Sequence, residues 1–378
     1  NVIVSNISTY FSSDETDTPP SLYQNEDICF VGAYILGDGF KISIEEYNEL
    51  ISKDIKNQDI IRKYIGGKTL NSQFDIEPYK FIICFADKEL TECKKYSELL
   101  AIVEDRVAEY RESVQSSTAR KYWWRFARTK VKDFNNIAHL NQVLISTKTT
   151  KHFNFVFLSP EIIFDQSVTV IGFDKFCKFS ILQTNIHELW ATHFGTTLRT
   201  DRRYSPQDCF ETFPFPQNLS SETESKLEQL GESYHEFRRE LMHKMQLGLT
   251  KTYNQFHNPK LAIVETGLSA KEVEKQYGKE TKNLWNHLNK TDDVCSLEEA
   301  ITDIKQIRQR HKEMDEAVLE AYGWHEDNEK LGPAIDLAHN FYEVDYLPEN
   351  DRIRYTISPA ARKEVLKRLL LLNHEIYE

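Results

Sequence analysis

The arrangement of hydrophobic and polar positions changes along the chain at about residue 219. Before that point, short apolar runs rich in β-branched and aromatic residues predict strands. These runs are ICFVGAYILGDGF (28–40), YKFIICFAD (79–87), HLNQVLIST (139–147), HFNFVFLSP (152–160) and QSVTVIGF (166–173). In the first of them, a Gly-Asp-Gly turn is expected to separate two strands.

Stretches with helical spacing lie between these runs. Residues 43–54 follow a capping box formed by Ser43 and Glu46, and residues 96–114 place apolar side chains on one face. Residues 179–195 predict one helix that stops at a glycine. The first two thirds of the chain are therefore predicted to be mixed α and β.

The remaining third has apolar residues every three or four positions, as amphipathic helices do. The pattern predicts a long helix over 221–256, which Gly248 can interrupt, a second helix over 296–322, and a third from Ser358 onward. The predicted fold class is α+β, with a mixed α/β domain followed by an all-α helical region.

The domain boundary is expected in the stretch RRYSPQDCFETFPFP, whose Pro-rich end forms a seam. The sequence thus predicts a first domain over 1–215 and a helical region over 216–378. Residues 12–27 are acidic and poor in apolar groups, and are predicted to form a loop.

Composition narrows the class of protein. The 378 residues are 40% hydrophobic and 28% charged, and no run reaches the roughly 18 apolar residues of a membrane span. Six scattered cysteines without a C-x-x-C pair favour a reducing, cytoplasmic compartment. The chain begins with Asn and lacks a signal-peptide pattern, so we expect it to be a fragment of a longer protein.

The net charge of −12 argues against nucleic acid as a partner, but the charge is unevenly distributed. Residues 1–119 carry 12 basic and 21 acidic groups, which is −9. Residues 120–215 carry 13 and 8, which is +5, and residues 216–378 carry 22 and 30, which is −8. The middle third is therefore the part of the chain in which a polyanion would bind.

The segment ARKYWWRFARTKVKD (119–133) stands out, because six cations and four aromatic residues precede its first acid. Phosphate binding needs such charge, and planar rings can pack on sugars or bases. If the segment were helical, Lys121, Arg125 and Arg128 would share one face, with Trp124 beside them. The alternative is that the aromatic residues anchor the core and the cations form a solvated rim, and both interpretations can hold together.

A second basic group, TLRTDRRY, occupies residues 197–204. The rigid fork of arginine suits guanine edges and phosphates. Lys148 and Lys151, between two predicted strands, could extend the same surface. The competing interpretation for any single arginine here is a buried salt bridge within the domain.

The candidate motifs for catalysis and metal binding do not have the residue spacing that these sites need. In HELWATH (187–193) the two histidines are six residues apart, whereas a helical zinc site needs four. GGKT (66–69) lacks the first glycine of a phosphate-binding loop, and there is no G-x-S-x-G. The sequence predicts no catalytic and no metal-ligating residue, although scattered acids could still form a metal-dependent nuclease centre.

Several blocks in order resemble a known family. They are FVGAYILGDGF, IRKYIGGKTLNS, KYWWRFA, TTLRTDRRYSPQDCFETFPFP, GLTKTYNQFHNP and MDEAVLEAYGW. Together they resemble the C-terminal part of adenine-specific DNA methylases of the type IIG restriction-modification kind, including methylases of phage-defence systems such as DISARM. The resemblance covers nearly the whole chain.

The resemblance implies that residues 1 to about 215 are a DNA target recognition domain and that the rest is the family's helical region. The chain lacks the [DNS]-P-P-[YF] motif that holds a flipped adenine and lacks a Gly-rich S-adenosylmethionine loop. We therefore expect no cofactor in this chain and S-adenosylmethionine in the parent enzyme. The expected partners are double-stranded DNA and the methylase catalytic domain, and no membrane.

The hypothesis is a module that positions duplex DNA for base flipping and N6-adenine methylation by a separate catalytic domain. The residues assigned to DNA contact are Arg120, Lys121, Trp123, Trp124, Arg125, Arg128, Lys130, Lys148, Lys151, Arg199, Arg202, Arg203 and Tyr204. The main alternative is a structural or subunit-docking module without direct DNA contact.

Overall fold

The computed structural model describes residues 18–76, 80–198, 201–345, 347 and 349–378. Its strands are β1 (Cys29–Val31), β2 (Lys41–Ile42), β3 (Ile61–Ile65), β4 (Lys80–Ile83), β5 (Val143–Thr147), β6 (Thr149–Thr150), β7 (Val156–Leu158), β8 (Ile163–Phe164), β9 (Val168–Ile171), β10 (Thr196–Leu198), β11 (Asp201–Arg203), β12 (Asn340–Glu343) and β13 (Ile353–Thr356).

Its helices are α1 (Ile44–Lys53), α2 (Gly67–Ser72), α3 (Leu90–Cys93), α4 (Ser97–Val103), α5 (Glu109–Ser113), α6 (Ser117–Lys121), α7 (Val131–Ile137), α8 (Phe176–Gln183), α9 (Asn185–Phe194), α10 (Ser221–Met245), α11 (Leu249–Phe256), α12 (Ala270–Leu288), α13 (Leu297–Ala321) and α14 (Pro359–Tyr377). π-Helical turns occur at Glu104–Ala108 and Pro206–Glu211. No helix in the described ranges is long and apolar enough to cross a membrane.

The strands form small, separate sheets. One has the order β1-β9-β5-β7 and is antiparallel throughout, and a second has the order β2-β4-β3-β8, in which only β3 and β8 run parallel. In a three-stranded sheet with the order β10-β11-β6, β6 comes from the segment before α8, and β10 and β11 come from the segment after α9. This mixed arrangement, followed by long helices, confirms the predicted α+β fold class.

Many predicted elements are confirmed. The capping box of Ser43 and Glu46 begins α1, and the strands β4, β5, β7 and β9 lie inside the predicted runs. The long C-terminal helix is interrupted as expected: α10 ends at Met245, the next residue, Gln246, has a left-handed φ of 48°, and α11 begins after Gly248. The helices α13 and α14 follow the predicted bounds closely.

Other expectations were wrong in detail. The predicted helix over 179–195 is two helices, because the Thr184 side chain caps α9 by accepting a hydrogen bond from the His187 amide. The region 28–40 contains one strand and a 3₁₀ turn in place of two strands. Sequence reasoning missed α12, although Ser269 and Glu272 form a capping box at its start, and missed the β12–β13 ribbon inside the helical region.

Two hydrophobic cores hold the chain together. The smaller core joins β2, β3 and β4 to α4 and contains Phe40, Leu99 and Trp124. The larger core contains strand residues such as Val170 and helical-region residues such as Leu227 in one continuous cluster. Hydrophobic packing therefore runs across the predicted domain boundary at residue 215. The division of the chain into two domains at that residue remains a prediction.

Polar contacts reinforce that packing. The Arg238 guanidinium, only 1% exposed, donates hydrogen bonds to the Phe155 carbonyl at 2.5 Å and to Gln183 Oε1 at 3.1 Å. Ser180 Oγ donates to the Leu227 carbonyl at 2.6 Å. Because buried polar groups are costly unless they are paired, these contacts hold α10 in a defined position on the mixed domain.

The approach of α10 to α8 depends on Gly231. A Cβ atom at this position would lie 2.4 Å from Ser180 Oγ and 2.5 Å from the Phe176 carbonyl oxygen. Both distances are far below van der Waals contact, so only glycine allows the two helices to pack this closely.

We expect Gly231→Ala to lower the free energy of unfolding by about 1–3 kcal/mol through overpacking. Helix propensity alone predicts the opposite sign, since alanine stabilises an exposed helix by about 1 kcal/mol relative to glycine. Chemical denaturation measures the difference. The control is Ser225→Ala on the exposed face of the same helix, which should leave the free energy of unfolding nearly unchanged. A Gly231→Ala protein as stable as the wild type, or more stable, would contradict the packing argument.

His187 makes stability depend on pH. Burial lowers the pKa of this imidazole to about 3, and its Nε2 lies 2.9 Å from the Tyr204 hydroxyl. The unfolded chain binds the proton near pH 6.5 whereas the folded chain does not. Stability is therefore fully present above pH 6.5 and is lost as the pH falls from there toward 3.

We expect this single group to remove about 2 kcal/mol of stability between pH 7 and pH 5. His187→Gln should flatten the dependence of the unfolding free energy on pH by that amount, even if the variant is less stable at pH 7. Denaturation curves at several pH values give the slope. His139→Gln, at an exposed position, is the control and should keep the wild-type slope.

Candidate nucleic-acid interface

A β-ladder brings two of the predicted cations together. β11 pairs with β6 so that Arg203 faces Thr149, which places Arg203 beside Lys148, the residue before β6. Two backbone hydrogen bonds, each 2.8 Å long, fix the position of Lys148. Its amide donates to the Ser167 carbonyl, and its carbonyl accepts from the Tyr204 amide. The two side chains therefore belong to one surface, although 55 positions separate them in the sequence.

A third cation reaches the same surface from a different segment. Arg128 and Tyr34 exchange two backbone hydrogen bonds, at 3.0 and 3.1 Å, in an antiparallel bridge just after β1. Arg128, Lys130, Lys148 and Arg203 line one cleft of about 400 Å³, which we call the basic cleft.

The electrostatics of the basic cleft favour an anion. Burial lowers the pKa of Lys148, and the nearby charges of Arg203 and Arg128 lower it further. Within the described residues, none of these three side chains forms an ion pair or a side-chain hydrogen bond. Lys130, in contrast, pairs with Asp133 at 3.2 Å. A bound phosphate would relieve the mutual repulsion of the three unpaired cations.

The lining of the basic cleft also contains acidic and amide side chains. Asp27 and Glu211 line the cleft, together with the amide side chains of Gln166 and Gln207. Burial raises the pKa of Glu211, and the neighbouring acids Glu26 and Asp27 raise it further. Carboxylates can accept hydrogen bonds from the amino group of cytosine, and glutamine can pair with adenine, so the lining contains groups of the kind that can read base edges.

The aromatic segment does not form the helical face considered from the sequence. α6 ends at Lys121, and the following residues form turns. Trp124 is 6% exposed and its indole donates to the Lys88 carbonyl at 3.0 Å, while Arg125 donates to the same carbonyl at 2.9 Å and pairs with Glu89 at 2.7 Å. For these residues the alternative of core anchors describes the structure.

Two residues of the second basic group are buried. Arg202 is 4% exposed, pairs with Glu188 at 2.5 Å and donates to the Lys151 carbonyl at 2.9 Å. Tyr204 is completely buried, and its hydroxyl forms a hydrogen bond with His187 Nε2. We therefore no longer assign Arg202, Tyr204, Trp124 or Arg125 to direct DNA contact, because their polar groups are already occupied inside the fold.

The other predicted residues lie away from the basic cleft. The Arg120 guanidinium is exposed and hydrogen-bonds to the carbonyls of residues 114 and 115, and Lys121 lies 5.0 Å from the centre of the Tyr122 ring. Trp123 is partly exposed and packs against Trp124. Lys151 pairs with Asp351 at 2.9 Å. Arg199 lies outside the described residues.

Sequence reasoning missed the amide and acidic side chains that line the basic cleft. Gln166 lies in a turn between two short strands, DQS at 165–167, so turn chemistry could have indicated an exposed polar side chain there. Nothing in the sequence signals that Gln207 and Glu211, which share one π-helical turn, lie in the same cleft as Tyr34, which comes from a distant segment.

Comparisons with known proteins show the family to which the chain belongs. A family model described as MmeI, target recognition domain, matches residues 23–217, which is more than half of the chain. The chain therefore belongs to the MmeI target recognition domain family. No curated protein matches it.

A solved structure extends the similarity into the helical region. The chain is similar to the Type IIL restriction-modification enzyme MmeI, which was determined in complex with DNA, with a TM-score of 0.60 and 13% sequence identity. The match covers 99% of this chain and 39% of that one. At this identity the match establishes the fold, and the chain spans well under half of the enzyme's length.

Neighbouring arginines should behave differently on substitution. We expect Arg202→Gln to lower the free energy of unfolding by about 2–3 kcal/mol, because it leaves Glu188 without its partner inside the fold. Arg203→Gln, one residue away and exposed, is the matched control and should change stability by less than about 0.5 kcal/mol. Thermal or chemical denaturation compares them, and equal losses would contradict the assignment of Arg202 to the interior.

Proposed function

We propose that this chain is a DNA-binding target recognition module of a restriction-modification enzyme. The observation that carries the proposal is the basic cleft, in which Arg128, Lys148 and Arg203 lie together without acidic partners among the described residues. Phosphate contacts position a protein on duplex DNA, and base contacts supply specificity. The lining of the cleft contains both cations for phosphates and carboxylate and amide groups for base edges.

The family supports the same function. Its description names target recognition, and the structurally similar enzyme was determined with DNA bound.

The finer proposal concerns the parent enzyme. We propose an N6-adenine DNA methyltransferase of the type IIG or phage-defence kind, because the sequence blocks resemble those enzymes. The catalytic domain would be this chain's partner, would hold S-adenosylmethionine and would flip the target adenine. We assign no residue of this chain to binding S-adenosylmethionine. All six cysteines are unpaired, which fits work in a reducing cytoplasm.

The test is duplex DNA binding across a salt series. Replacing Arg128, Lys148 and Arg203 together by glutamine should weaken binding and reduce the slope of log K against log salt by about 0.9 for each lost phosphate contact, or about 3 in all. Folding should be retained because the three side chains are exposed or half-buried.

A matched control removes the same charge elsewhere. Lys56, Lys94 and Lys95 are exposed in the first third of the chain, and their replacement by glutamine should leave affinity and salt slope nearly unchanged. Equal effects of the two triple variants would show that net charge, and not the basic cleft, drives binding. A folded wild-type chain that fails to bind DNA but binds the catalytic half would support the docking module instead.

A further inference from the structure

A second groove lies in the helical region, between α11 and α12. It has a volume of about 540 Å³, and apart from Leu247 and Leu284 its lining is polar. The side chains that could bind a ligand there are three lysines and three asparagines: Lys251, Lys279, Lys290, Asn254, Asn283 and Asn286. The one carboxylate in the lining is Glu280.

This lysine content contrasts with the net charge of the helical region, residues 216–378, which is −8. A neighbouring lysine on α12, Lys282, pairs with Glu274 at 2.5 Å. In the described part of the chain, Lys251, Lys279 and Lys290 form no ion pair, and all three are exposed. The groove is therefore a local positive site in an acidic surface, which focuses the field on an anionic ligand.

A buried hydrogen-bond chain orients one of the asparagines. The Arg354 guanidinium can only donate, so His152 Nδ1, 2.9 Å away, accepts. His152 Nε2 then carries the hydrogen and donates to Asn254 Oδ1 at 2.9 Å. The NH₂ group of Asn254 is left as a donor at the groove, beside the ammonium groups. Phosphate oxygens accept hydrogen bonds only, and they suit such a set of donors.

The groove is connected to the basic cleft through α2. The first amide of α2 donates to Ser167 Oγ, and Ser167 also accepts from the Lys148 amide. At the other end of α2, a Cβ on Gly248 would lie 2.3 Å from the Ser72 carbonyl carbon, so α11 begins in direct contact with α2. Six helical residues are about 9 Å long, and Lys251 follows within one turn.

We propose that this groove binds the sugar-phosphate backbone of the same duplex that occupies the basic cleft, beside the base pairs that are read. The proposal rests on the proposed function. One turn of duplex spans about 34 Å, whereas α2, which is hydrogen-bonded to Ser167 at one end and contacts Gly248 at the other, is about 9 Å long. The groove adds affinity that is independent of sequence and sensitive to salt.

The test compares two duplexes, of about 10 and about 30 base pairs, the shorter being one helical turn. The variant Lys251→Gln/Lys279→Gln/Lys290→Gln should bind the long duplex about tenfold or more weakly at low salt, with a salt slope smaller by about 2–3. Its affinity for the short duplex should fall by a smaller factor, because fewer phosphates of a short duplex can reach the groove while the duplex occupies the basic cleft. Thermal unfolding verifies that the variant is folded.

The control variant replaces Lys305, Lys330 and Lys363, which are also exposed in the helical region, and should bind both duplexes like the wild type. If the groove variant keeps full affinity for the long duplex while the variant of the basic cleft loses it, the groove proposal fails and the proposed function stands. If neither variant alters binding, both fail. If the groove variant binds DNA normally but no longer assembles with the catalytic half, the groove is a protein-docking site and the proposal is overturned.

Discussion

The junction between the mixed domain and the helical region depends on one buried carboxylate. Asp315 of α13 is fully buried and accepts hydrogen bonds from the backbone amide and side-chain amide of Asn185, at 2.7 and 2.6 Å, and from His339 at 2.7 Å. Burial acts to raise its pKa, but His311 and His339 outweigh burial and hold the pKa below its ordinary value. An unpaired charge here would cost several kcal/mol, so these partners must stay in place.

The position of the basic cleft follows from that constraint. Asn185 is the first residue of α9, and α9 leads into the β10–β11 hairpin, which carries Arg203. Arg203 meets Lys148 only because β11 pairs with β6. Arg203 of the basic cleft is thus positioned by a chain of buried contacts that begins in the helical region. The helices therefore help to set the geometry of the basic cleft as well as covering the core.

Burial separates residues that look equivalent in the sequence. Arg202 and Arg203 are adjacent, yet Arg202 ion-pairs with Glu188 and Arg203 lines the basic cleft. The alternation of side chains along a strand explains the difference, since neighbours point to opposite faces. In the aromatic segment, Trp124 and Arg125 turn inward against the Lys88 carbonyl, so the strongest compositional signal in the sequence marks a core anchor.

The sequence by itself determined the fold class, most helices and the basic middle third, because these depend on local periodicity, capping residues and charge. Capping at Ser43, the interruption near Gly248 and the start of α14 were all predictable in this way. Only the tertiary structure decided which cations are available. Arg128, Lys148 and Arg203 come from three segments that non-local backbone pairing brings together, and the lysines of the groove come from two helices joined by packing. Such contacts depend on strand register and helix approach, which leave no local trace in the sequence.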